Sequence, residues 1–197
     1  MKTLLDDPRK QRLALYTKIS NFLQGNIAEV GVYQGGSAEI ISKNKNKQKK
    51  FYLFDTFEGM PKTDKVDQHK EKDFNDTSYE NICNAFKSYQ NVFVYKGIFP
   101  QKHWNIVVNE KFSLVHLDVD IYKSYKDCLN FFYPKMVVGG LIIMDDYNAP
   151  SCLGAKLAVD EFIKNKPEKL VWNVSSQVVL IKTQNHIFST LSPKCLS

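Results

Sequence analysis

Two aspartate clusters stand late in the chain, Asp118-Val119-Asp120 and Asp145-Asp146, each directly after an apolar run. In extended backbone alternate residues share a face, so Asp118 and Asp120 point the same way. If the apolar runs are neighbouring parallel strands, all four carboxylates meet at one end of a sheet. So much negative charge is costly unless a cation or a shared proton relieves it. Oxygen-only donors suit Mg²⁺, Mn²⁺ or Ca²⁺ and not zinc. The competing reading makes some of these residues helix caps or solvated loop acids. His116, two residues before Asp118, reads as a strand histidine with a satisfied hydrogen bond.

A second set of residues lies earlier. Ala28-Glu29-Val30-Gly31-Val32-Tyr33-Gln34-Gly35-Gly36-Ser37 joins an apolar run to a helical one. Gly31 allows a sharp turn, Gly35 and Gly36 allow close approach of a ligand to the main chain, and Ser37 is placed to cap the helix. The spacing is not G-x-G-x-x-G, and no Gly-Lys-Ser/Thr follows, so neither a nicotinamide site nor a phosphate loop fits. Glu29 suits a ligand with an ammonium or sulfonium centre, although an ordinary tight turn accounts for the glycines alone. Phe51-Tyr52-Leu53-Phe54 then ends in Asp55, and an acid at the next strand end commonly holds a ribose diol. Phe57 and Phe99 either flank an adenine ring or belong to the core.

These residues need elements to hold them. Helical spacing is expected from Pro8 to Leu23, with one apolar face through Leu13, Leu15, Tyr16, Ile19, Phe22 and Leu23, and again over residues 37–42, 78–89, 125–132 and 154–164. Strands are expected at 27–32, 51–54, 91–95, 112–117, 141–144, 170–174 and 178–181, with Gly139 and Gly140 turning the chain into the fifth. Such alternation predicts one α/β domain over residues 1–197, a doubly wound and mostly parallel seven-stranded sheet, with an antiparallel C-terminal edge. Ligands of such sheets bind at the carboxyl ends of the strands. Residues 62–77 are polar and read as a lid loop. The tail, 183–197, has no clear pattern.

Composition narrows the function. With 197 residues and 43% hydrophobic content the chain suits one core. It has no apolar stretch of membrane-spanning length, and Met1 to Asp7 lack a signal-peptide pattern, which predicts a cytoplasmic protein. Cys83, Cys128, Cys152 and Cys195 are scattered and read as reduced thiols, with no zinc-type spacing. The net charge is +6, yet Arg occurs only at Arg9 and Arg12. Lys43 to Lys50 read as a solvated loop and not as a nucleic-acid surface.

The ordered motifs resemble the macrocin O-methyltransferase family, a metal-dependent branch of class I methyltransferases. The matching segments are Glu29 to Ser37, Phe54-Asp55-Thr56-Phe57-Glu58-Gly59-Met60-Pro61, Lys96-Gly97-Ile98-Phe99-Pro100, Leu117-Asp118-Val119-Asp120-Ile121-Tyr122, and Gly139-Gly140 followed by Asp145-Asp146-Tyr147. The resemblance implies a Rossmann-like fold, S-adenosylmethionine as cofactor and a hydroxyl acceptor on a sugar or other natural product. It implies that Glu29, Gly31, Val32, Tyr33, Gly35, Gly36 and Ser37 wrap the methionine part. Asp55 would hold the ribose hydroxyls, Gly97 and Phe99 would lie near the adenine, and Thr56, Phe57 and Asp118 would also belong to the cofactor site. Asp145, Asp146 and one of Asp118 or Asp120 would hold Mg²⁺, the other being a general base or a supporting acid. About two dozen residues precede the first strand, fewer than is usual in the family, which predicts an open acceptor site or one completed by a partner subunit. Two rivals are a D-x-D glycosyltransferase built on Asp118-Val119-Asp120, and an RNA methyltransferase or nucleic-acid-binding domain whose Lys43 to Lys50 loop faces the site.

Overall fold

The computed structural model describes residues 1–184, so the C-terminal tail lies outside the described residues from position 185 onward, Cys195 included. The first helix, α1 (Asp7–Ser20), begins where Asp6 accepts a hydrogen bond from the Arg9 amide (2.9 Å) and Pro8 occupies the first turn. The second Asp6 oxygen accepts from the Ser175 hydroxyl (2.7 Å). Replacing Asp6 with Ala removes both bonds and is expected to lower stability by about 1 kcal/mol, read as a shift in the denaturant midpoint.

The strands are β1 (Asn26–Val30), β2 (Phe51–Asp55), β3 (Val92–Lys96), β4 (Phe112–Leu117), β5 (Met136–Met144), β6 (Leu170–Val174) and β7 (Gln177–Ile181). The helices after α1 are α2 (Gly36–Asn44), α3 (Tyr79–Phe86), α4 (Tyr122–Phe132) and α5 (Leu153–Ile163). The sheet runs β3-β2-β1-β4-β5-β7-β6, parallel through β5, with β7 antiparallel to both its neighbours. The chain order reverses direction between β1 and β4, which opens a crevice at their carboxyl ends.

Strand pleating divides the core into two clusters. Ala28, Val30, Tyr52, Phe54, Val115, Leu117, Ile142 and Met144 pack on one face with α4 and α5. Ile27, Leu53, Leu114, Leu141 and Ile143 pack on the other with Leu13 of α1 and Ala38 and Ile41 of α2.

Four details depart from the sequence pattern. The buried face of α1 is Leu13, Thr17 and Ser20, while Leu15, Ile19 and Phe22 are exposed. The hydroxyls of Thr17 and Ser20 donate to helix carbonyls, so these small residues can be buried against the domain without an unmet polar group. Ser37 does not cap α2: the helix starts one residue earlier, with Gly35 (φ +80°) as its cap. Gly139 and Gly140 lie inside β5, which starts at Met136. Gly139 takes φ +81° where the ladder with β4 shifts register between Phe112 and Leu114, as in a bulge. The Lys43–Lys50 loop is not simply solvated, because Lys45 and Lys49 are buried. Lys45 Nζ donates to the carbonyls of Lys49 and Gln90, and Lys49 Nζ to those of Leu23 and Gly25 and to Ser113 Oγ. This loop leads into the start of β2, the end of the sheet opposite the crevice. No helix among the described residues is long and apolar enough to cross a membrane.

Candidate active site

A cavity of about 300 Å³ lies at the carboxyl ends of β1, β2, β4 and β5. Gly31, Val32, Tyr33, Gly36 and Ser37 line it from the first loop, Asp55 and Thr56 from the second, and Gly97 and Phe99 from the third. All four aspartates, Asp118, Asp120, Asp145 and Asp146, line its far side. Glu29, Gly35 and Phe57 do not.

The glycine loop is held from β2. Asp55 Oδ2 accepts from the amides of Val32 (2.7 Å) and Tyr33 (2.8 Å), and Oδ1 from Phe57 N (2.7 Å). The Thr56 hydroxyl lies 3.4 Å from Oδ1 as well, so the carboxylate's roughly four acceptor positions are met within the two loops. Gly31 (φ +87°) packs beneath Asp118, and a Cβ there would stand 1.8 Å from the Asp118 carbonyl oxygen. Phe99 packs 4.2 Å, centroid to centroid, from Phe54 at the cavity wall. Phe57 belongs instead to the core beside Tyr79.

Glu29 is fully buried and faces the sheet partner strand. Its Oε1 lies 2.8 Å from His116 Nδ1, and His116 Nε2 lies 3.9 Å from Asp145 Oδ1. Burial alone would lower the His116 pKa, but Asp145 and Glu29 raise it to about 10. Beneath the cavity, Glu29, His116 and Asp145 thus form a line of alternating charge.

Pleating separates Asp145 from Asp146. Asp145 continues the Leu141–Ile143 face toward α1, and there Arg9 Nη1 (2.5 Å) and Gln177 Nε2 (2.7 Å) donate to it. Burial raises its pKa, but His116, Arg9 and Gln177 outweigh that, and the net shift is downward. Asp146 continues the Ile142–Met144 face, where Tyr125 Oη (2.9 Å) and the Asp120 amide (3.0 Å) donate to Oδ2. Asp120 has φ +56°, in a three-residue turn closed by Ile121 N to Val119 O (2.6 Å). That backbone is unfavourable for a non-glycine residue and turns the carboxylate into the cavity.

The cluster the structure gathers is therefore Asp118, Asp120 and Asp146, each offering an oxygen within 4.8 Å of the others. Among the described residues no lysine or arginine pairs with any of the three. Burial and the neighbouring carboxylates push Asp118 and Asp120 well above the usual range, and Asp146 to about 6. An all-oxygen set to which no lysine or arginine is directly paired fits a hard dication.

The Asp146 shift has a testable sign. Its folded pKa is above the unfolded value, so between them the folded state binds more protons and stability falls as pH rises, levelling off above pH 6. In chelator, Asp146→Asn is therefore expected to be more stable than the unsubstituted chain above pH 6, by on the order of 2 kcal/mol. The gap should close as pH falls toward 4, followed by thermal unfolding across that range.

Several cavity residues carried no sequence signal. Lys2, Thr3, Leu4 and Leu5, which precede α1, line it together with Arg9. The Gly36 amide donates to Lys2 O (3.0 Å), which binds this segment to the glycine loop. The 62–77 loop contains no helix or strand and docks over the site: Asp67 Oδ1 accepts from Tyr122 N (2.9 Å), and His69 and Phe74 reach the cavity. Cys152 completes the rim.

Comparison with known proteins bears on the family and the fold. Residues 7–175 match the profile of the family described as macrocin-O-methyltransferase (TylF). A demethyldecarbamoylnovobiocin O-methyltransferase from Streptomyces niveus is 28% identical over 160 residues, covering 73% of this chain and 60% of that one. An 8-demethyl-8-(2,3-dimethoxy-alpha-L-rhamnosyl)-tetracenomycin-C 4'-O-methyltransferase from Streptomyces olivaceus is 25% identical over 71% of this chain and 59% of its own length. The chain thus spans about 60% of the length of these curated relatives. The solved structure of the O-methyltransferase NovP superposes with a TM-score of 0.80 at 24% identity, covering 92% of this chain and 82% of that one.

Proposed function

The chain belongs to the macrocin-O-methyltransferase family, and from that premise we propose that it transfers a methyl group from S-adenosylmethionine to a hydroxyl of a sugar or glycosylated small molecule. The observation that carries this is the meeting, on one cavity, of the glycine loop, Asp55 and the Asp118, Asp120 and Asp146 cluster. The sugar class follows the curated relatives, one of which is named for a rhamnosyl 4'-hydroxyl.

The chain's residues divide the work. Val32 to Ser37 form a backbone cradle for the methionine portion, held in shape by Asp55. Asp55, which lines the cavity, is placed to meet the ribose hydroxyls, and Phe99 with Gly97 bounds the base. Asp118, Asp120 and Asp146 are placed to hold Mg²⁺ or a similar hard cation, and Asp145 would join them only if Arg9 moved aside. Such a cation, when bound, lowers the pKa of a coordinated hydroxyl. Where Asp120 and Asp146 hold the cation, Asp118 is left to accept the acceptor's proton: among the described residues no N–H is bonded to its carboxylate, and burial with the neighbouring carboxylates raises its proton affinity. The docked 62–77 loop excludes water and orients the acceptor for in-line attack, from which much of the acceleration comes.

The nucleic-acid reading required the Lys43–Lys50 loop to face the site, and that loop lies at the other end of the sheet. The test is methyl transfer from methyl-labelled cofactor to a panel of rhamnosides and other glycosides, with Mg²⁺ and with excess EDTA. Labelled product with Mg²⁺ and none with EDTA is the expected result. Full activity in EDTA would remove the cation from the mechanism.

A further inference from the structure

At the rim of the cavity three donors of different chemistry converge. His69 Nε2 lies 3.6 Å from Cys152 Sγ, Cys152 Sγ lies 3.5 Å from Asp120 Oδ1, and His69 Nε2 lies 3.9 Å from Asp120 Oδ1. A tetrahedral Zn²⁺ with bonds of about 2.3 Å to sulfur and about 2.0–2.2 Å to nitrogen and oxygen would hold its ligand atoms roughly 3.3–3.6 Å apart. The two sides that meet at sulfur already have those dimensions, and the His69–Asp120 side, at 3.9 Å, is about half an ångström longer. We propose that His69, Cys152 and Asp120 form a binding site for a dication of the Zn²⁺ kind, distinct in donor chemistry from the all-oxygen cluster beside it.

A second observation supports it independently. Asp73 Oδ2 lies 3.4 Å from His69 Nδ1, on the far side of the ring. A carboxylate behind a ligating imidazole fixes the tautomer that leaves Nε2 free to bind a metal. The three donors come from three segments: the 62–77 loop, the turn after β4 and the residue preceding α5. The fourth coordination position faces the cavity, which all three residues line. The same sulfur, imidazole and Asp73 could be taken for a nucleophilic thiol with its base. Asp120 beside the sulfur disfavours a thiolate that no cation neutralises.

Binding displaces the thiol proton, now donated to Asp120, to solvent. The site then joins the 62–77 loop to the strand ends and draws on Asp120, which also belongs to the oxygen cluster. If the methyl-transfer reading is right, a Zn²⁺-class ion therefore slows turnover by competing for Asp120 and holding the loop shut.

The test is spectroscopic and does not depend on activity. The metal-free full chain is titrated with Co²⁺ in excess Mg²⁺. The expected result is one equivalent bound, with a thiolate-to-cobalt charge-transfer band in the near ultraviolet and the intense visible bands of tetrahedral Co²⁺, both bleached by Zn²⁺. Cys152→Ser should abolish the near-ultraviolet band, and His69→Ala, in the docked loop and outside the core, should weaken Co²⁺ binding at least about tenfold. Circular dichroism confirms that both variants fold. Absence of the charge-transfer band in the unsubstituted chain, or its persistence in Cys152→Ser, would overturn the site whether or not methyl transfer is observed.

Discussion

Asp118→Asn is expected to lower methyl transfer by about 10²–10⁴-fold while leaving affinity for S-adenosylhomocysteine within a few-fold. The reason lies in where Asp118 stands. It continues the Leu114–His116 face of β4, its amide is fixed by Val30 O (3.0 Å), and its carboxylate lies among acids with no N–H of the described residues bonded to it. Asparagine keeps the size and the backbone bond but cannot accept the hydroxyl proton. Initial rates with saturating cofactor, beside a calorimetric affinity, separate the two effects. An equal loss in rate and in affinity would make Asp118 a cofactor residue and not a base.

Gly31→Ala is the second large effect, and it acts through the backbone. The position requires φ +87°, and the added Cβ would stand 1.8 Å from the Asp118 carbonyl oxygen, so β1 and β4 would have to part at the crevice. A loss on the order of 3–5 kcal/mol in unfolding free energy is expected, with no measurable cofactor binding in what remains folded. Gly35→Ala is the control. Its φ is +80°, but the added Cβ meets side chains and no backbone: the ends of Ile82 and Met1 at 3.0 Å and the edge of the Phe86 ring at 3.2 Å. Flexible ends can give way, so the loss there should be confined to backbone strain of about 1–3 kcal/mol. If the two variants behaved alike, close approach at Asp118 would not be what Gly31 provides.

The strand positions, the mostly parallel sheet and the end at which the cavity lies were legible in the sequence because short apolar runs ended in glycine or aspartate. Pleating explains why Asp145 meets α1 while Asp146 meets Tyr125, since adjacent residues point to opposite faces, but it is the turn at Asp120 (φ +56°), which no residue pattern announced, that brings the Asp118–Asp120 segment round to Asp146. Glu29 was legible as special but not in its role. Its partner, His116, lies 87 residues away, and only the β1–β4 register brings the two side by side. The Arg9–Asp145 contact spans 136 residues and leaves no local pattern at all. The burial of Lys45 and Lys49 was equally invisible, because a lysine that donates to carbonyls looks, in sequence, like one in water. His69 and Cys152 stand 83 residues apart in segments that resemble loop and helix start, with no ligand spacing to find.

The measurement that bears most directly on the central claim is a calorimetric titration of the full chain with S-adenosylhomocysteine and, separately, with a uridine diphosphate sugar. The account predicts saturable binding of S-adenosylhomocysteine at one site per chain, lost in Gly31→Ala and retained in Asp118→Asn, and no binding of the nucleotide sugar. Binding of the nucleotide sugar without S-adenosylhomocysteine would contradict it and return Asp118-Val119-Asp120 to glycosyl transfer.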